Sequence, residues 1–151
     1  MANTQAMCTS FKGELLVGHH NFGTGVTRGS TATDSFKAAL YLASATVNAS
    51  TTAYSATNEV SGTNYTAGGV AVTFGTAPST SGTTAFVTPS ASITYTNVTL
   101  STAFDCVLLY NSTQSNKAVS VHTFGSQTVT AGTFTLTMPT NDASTGLIRL
   151  A

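Results

Sequence analysis

Tryptophan is absent, and charge is scarce: Asp, Glu, Lys and Arg together make up 7% of the 151 residues, against about 25% in an average soluble domain. The few charges balance, five basic against five acidic. Lys12, Arg28, Lys37, Lys117 and Arg149 are scattered singly. Binding nucleic acid at physiological salt needs several clustered phosphate contacts, so no nucleic-acid partner is expected. Long apolar runs are missing too. No stretch approaches the ~18 residues of a membrane-spanning helix, and no membrane partner is expected. Residues 1–8 lack the basic start and apolar centre of a secretory signal, so synthesis and retention in the cytosol are expected, at least at first. Of the two cysteines, Cys106 lies in an apolar strand pattern and Cys8 near the start. With no secretion signal, both are expected as free thiols, and Cys106 as a small core residue.

Catalytic patterns are equally thin. General acid–base chemistry needs paired groups in one cleft, and the five carboxylates, Glu14, Asp34, Glu59, Asp105 and Asp142, show no pairing in their spacing. His19 and His20 are the nearest approach to a metal signature. Adjacent side chains diverge on a strand and on a helix, and no CxxC, HxxxH or HxH spacing accompanies them, so neither metal nor cofactor is expected. A Gly-x-Ser-x-Gly elbow is missing, and Gly23-Thr24-Gly25 lacks the third glycine of a dinucleotide loop. The expectation is a protein that is not an enzyme.

What is present is a β pattern. Hydrophobic residues reach 41%, and about a third of the chain is Ser or Thr. Thr favours strands because its branched Cβ packs well on a pleated surface. Phe36, Ala38, Leu40 and Leu42 alternate with a period of two, as do Phe134, Leu136 and Met138. Further strands are expected over residues 70–74, 83–87, 92–95, 104–110, 117–124 and 147–151, with a hairpin loop over 111–116. About eight short strands separated by turn signals imply an all-β, antiparallel sandwich of jelly-roll type over residues 34–151. The expected core is Phe36, Leu40, Val72, Cys106, Leu108, Val119, Val121, Phe134 and Leu136. Residues 1–33 read as an N-terminal arm with a short helix, Thr9 or Ser10 capping it and Phe11 meeting Leu15 one turn later.

Within the Gly-rich stretch at 57–69, Glu59 is expected to accept backbone N–H bonds and fix the loop, with Gly62, Gly68 and Gly69 shaping it. That stretch, TNEVSGTNYTAGG, resembles a turn found in small β-rich structural proteins of tailed bacteriophage virions. Leu109-Tyr110-Asn111, Lys117-Ala118-Val119, Phe124-Gly125 and Phe11-Lys12-Gly13 are also similar to that group, so the resemblance runs from about residue 11 onward. Asn64 stands where such proteins often carry Gly; both residues tolerate the left-handed backbone. An acidic, Trp-containing strand common in the group has no counterpart near residues 86–94. The resemblance implies a virion component. Within virions it favours a capsid cement or decoration protein, commonly a homotrimer, that binds the major capsid protein on the outer shell. Alternatives are a tail or tail-tip component and, from another class, a carbohydrate- or host-surface-binding module using Tyr41, Tyr54, Tyr65, Tyr95 and Tyr110. Phe11, Leu15, Leu16, His19, His20 and Phe22 of the arm are the expected capsid or subunit contacts.

Overall fold

A computed structural model describes residues 3–8, 10, 11, 15, 18–20, 22–24 and 33–151. The described chain is nearly all β, and every strand pairing in it is antiparallel. The strands are β1 (Ala6–Met7), β2 (Phe36–Leu42), β3 (Val70–Val72), β4 (Ser79–Ser81), β5 (Thr84–Val87), β6 (Ile93–Asn111), β7 (Lys117–Leu136) and β8 (Ile148–Leu150). A five-stranded sheet runs β1-β7-β6-β2-β3, and a three-stranded sheet runs β4-β5-β8.

The strand count agrees with the sequence reading, but its composition differs. Residues 92–95 and 104–110, expected as two strands, fall in one 19-residue strand, β6. The strands expected over 117–124 and 134–138 likewise share the 20-residue β7. Between them lie Asn97, Gly125 and Gly132, residue types that favour turns, and Ala131. Asn97 (φ 52°) and Ala131 (φ 46°) instead adopt left-handed backbone inside the ladder, where the β6–β7 register slips repeatedly. Such bulges add a residue to one strand and bend it without ending it. The two short strands β1 and β4 make up the difference in number.

β2 lies at the centre of the fold. Phe36, Ala38, Ala39, Leu40 and Tyr41 are all buried, so both faces of this strand are covered. Its register with β6 pairs Leu40 with Val107 and Ala38 with Leu109. Seven of the nine expected core residues are buried: Phe36, Leu40, Val72, Cys106, Leu108, Val119 and Val121. Phe134 and Leu136 are only half-buried and pack at the margin of the core.

The arm lies on the body. Phe22 stacks on Phe36 at 4.6 Å and meets Phe74 edge-on at 4.9 Å, while Phe11 sets its edge to Phe22 at 5.9 Å. Such ring pairs add about 0.5–1.5 kcal/mol each beyond the area they bury. The expected helix over residues 9–16 falls for the most part outside the described residues.

β7 has one long outer edge, and the chain's own segments cover only its first part. The Ala118 N–H donates to Thr52 O and the Cys8 N–H to Val119 O, and β1 pairs with Ser120 and Val121. Beyond Val121 no strand pairs with that side of β7 among the described residues.

Candidate functional site

The residues that carry the resemblance converge on one buried carboxylate. Glu59 follows Asn58, whose left-handed backbone (φ 60°) turns the chain back along β2. The Leu42 N–H donates to Asn58 O and the Val60 N–H to Leu40 O, so residues 58–60 extend the sheet beyond β3. This fixes Glu59 opposite Tyr41. Its Oε1 accepts the Tyr65 hydroxyl at 2.7 Å and the Gly68 N–H at 2.8 Å, and its Oε2 accepts the Tyr54 hydroxyl at 2.7 Å. Glu59 was expected to fix the loop through backbone N–H groups. It accepts one, from Gly68, and two tyrosine hydroxyls complete the set.

The tyrosines tie this loop to the large sheet. Tyr65 Oη accepts the Leu40 N–H at 3.0 Å while donating to Glu59. Tyr110 donates to Gly68 O, Tyr95 to Ala38 O and Tyr41 to Ser55 O, at 2.8, 2.8 and 2.6 Å. Tyr54 stacks on Tyr110 at 4.8 Å, and Tyr65 on Tyr95 at 5.9 Å. Burial, and after it the hydrogen bond to Glu59, pushes the Tyr54 phenol up to about 12. Tyr65 is raised further by the same two causes, and Tyr95 and Tyr110 are raised by burial and then by the Glu59 charge. These phenols are donors held neutral, with no tendency toward nucleophilic or general-base work at neutral pH. All five tyrosine hydroxyls have protein partners; Tyr41, Tyr95 and Tyr110 are buried, and Tyr54 and Tyr65 are half-buried.

The glycines serve by close approach. A Cβ on Gly69 (φ +71°) would run into the Ala38 carbonyl oxygen, and one on Gly62 into the Thr99 carbonyl oxygen. Asn64, the departure from the resembling pattern, takes φ 60°, the conformation glycine would supply. Its side-chain amide also donates to Asn97 O at 2.8 Å, pinning the loop to β6.

A second polar cluster sits where the arm meets the body. Asn111 is fully buried, and its Oδ1 accepts the Thr113 and Gln114 N–H groups of the hairpin turn. Its Nδ2 therefore faces Asp34 Oδ2 at 2.8 Å and His20 Nδ1 at 3.1 Å, which leaves His20 Nδ1 the acceptor. Gln114 Nε2 reaches Asp34 Oδ1 at 3.1 Å. This arrangement fixes the turn and the described arm residues against it.

The arm residues expected to meet a partner are placed unequally. Phe11, His20 and Phe22 are buried against the body, His19 is half-buried, and Leu15 is half-buried on the wall of an apolar cleft of about 210 Å³ between the arm and the small sheet. Leu16 lies outside the described residues. Among the described residues no three His, Cys, Asp or Glu side chains converge on a point that could hold a metal. Cys8 and Cys106 are both buried, and burial, then the Asp105 charge, pushes the Cys106 thiol up to about 12. A search for similarity finds no matching family model, no matching curated protein and no matching solved structure.

Proposed function

We propose that this protein is a non-enzymatic structural component of a bacteriophage virion, a capsid cement or decoration protein that binds the outer shell and stabilises contacts between capsomers. The observation that carries the reading is the TNEVSGTNYTAGG resemblance. Within this segment Glu59, Gly62, Tyr65, Gly68 and Gly69 hold the turn by the contacts described above, so the resembling residues are those that shape a rigid loop. The proposed body is a jelly-roll-like sandwich of the two antiparallel sheets, and its partners are the major capsid protein and further copies of itself, as a homotrimer. A scarcity of charge favours attachment by apolar contact and hydrogen bonds, which salt leaves largely intact. The test is the copy number of the chain in purified particles, with labelling of its position. Hundreds of copies on the shell support the proposal, and six to a few dozen at the tail would replace it with a tail component.

A further inference from the structure

We infer that the open end of β7 together with the two residues after it, residues 132–138, is a self-association edge that pairs antiparallel with the same segment of a second copy about a two-fold axis at Thr135. The segment alternates without interruption: Thr133, Thr135 and Thr137 are exposed, while Gly132, Phe134, Leu136 and Met138 are half-buried. The positive-φ residue of β7, Ala131, lies just before it. Its inner side is occupied by β6, through Ile93–Leu136, Thr94–Thr135 and Tyr95–Phe134. Its outer side has no strand partner among the described residues. Unpaired N–H and C=O groups in a row template the addition of another strand.

Native edges avoid such addition with Lys, Pro, an inward charge or a bulge. Bulges disrupt β7 upstream of this segment, and one register slip lies opposite Thr133, where β6 carries the extra residue; residues 132–138 themselves hold no Lys, Pro or charge, and Pro139 follows them. No charged residue occurs between Lys117 and Asp142. This neutrality is what selects a second copy as the occupant. A strand of alternating Thr and apolar residues, turned about its own centre, sets Phe134 against Leu136 and Thr133 against Thr137, with no like charges opposed. Cross-strand pairs of both kinds are favourable, and a chain of formal net charge zero does not repel its copies. Leu136 and Met138 also line an apolar cleft of about 140 Å³ with Ile93, Val107, Leu109 and Phe124. The inference does not depend on the virion reading. If the chain forms trimers, this contact joins one trimer to the next.

The test is sedimentation of the full chain over a range of concentrations, with hydrogen exchange read at residues 132–138. Concentration-dependent association with slowed exchange confined to that segment is expected. Thr135→Lys and Thr135→Glu each place like charges on the axis and should weaken the contact by about tenfold or more, whereas an equal mixture of the two variants should restore it. Thr135 is exposed, and an unchanged circular dichroism spectrum checks that both variants fold. A wild-type chain still monomeric at about 1 mM overturns the inference. So does association that leaves exchange at 132–138 unchanged, or that neither charge variant weakens.

Discussion

The two ends of the β6–β7 hairpin share one ladder and one alternating pattern, yet they live in different surroundings. Near the turn, β7 has β6 on one side and the segments around Thr52 and Cys8 on the other, so Ala118, Val119, Ser120 and Val121 are all buried. At the far end β6 is still its neighbour, but no described strand pairs with its outer side, and Thr128, Thr130, Thr133 and Thr135 are exposed. β6 itself stays buried there, with Val98 and Leu100 in the core. The lesson is that alternation assigns a side chain to a face, while burial depends on what other part of the chain reaches that face.

The sharpest way to break this contrast is to delete equal side chains at the two ends. Leu108→Ala, in the enclosed half, should cost about 2–5 kcal/mol in urea unfolding. Leu136→Ala removes a half-buried side chain and should cost about 1 kcal/mol. Equal losses would mean that the far end is as well packed as the near one.

His122 marks the boundary and titrates accordingly. Burial holds its imidazole at about 4, below the ordinary 6.5, with Nε2 2.9 Å from Ser120 Oγ. Between those values the unfolded chain binds a proton that the folded chain refuses. Stability attributable to His122 is therefore complete above about pH 6.5 and lost as pH falls toward 4, by up to about 3 kcal/mol. Melting temperatures at neutral pH and near pH 4, compared with those of His122→Gln, isolate this share. If both proteins lose stability equally, His122 is solvated in the fold.

A smaller effect is expected at the loop. Glu59→Gln keeps the shape but removes the charge that Tyr54, Tyr65 and Gly68 donate to, and should cost about 1–3 kcal/mol in the same unfolding measurement. An unchanged midpoint would reduce the carboxylate to a spectator.

Much of this was legible from residue order. The period-two run at Phe36–Leu42 marked a strand, though one buried on a single face where the fold buries both; the apolar run around Leu108 marked a central strand, and the crowding of glycines around Glu59 marked a constrained loop. The tyrosines were not legible as a set. Tyr54 and Tyr65 lie five and six residues from Glu59, while Tyr95 and Tyr110 arrive from β6 through sheet register, a distance that no local pattern encodes. The joined strands were missed because a residue such as Asn97 takes left-handed backbone in a bulge as readily as in a turn, and Ala131 does so with no signal in its side chain. The half-burial of Phe134 and Leu136 escaped for the reason already drawn from the hairpin: their own alternation carries no information about the missing neighbour.

One consequence of the tyrosine arrangement is optical. With no indole in the chain, near-ultraviolet dichroism and intrinsic emission come mainly from phenols, and every phenol here is tied to the Glu59 loop or to the strands beneath it. The protein therefore reports spectroscopically on that loop, and on its open edge only through Tyr95, the cross-strand partner of Phe134. A signal that moves during assembly would locate the disturbance at the loop or at the Tyr95–Phe134 pair, and a silent spectrum during association would place the contact away from both.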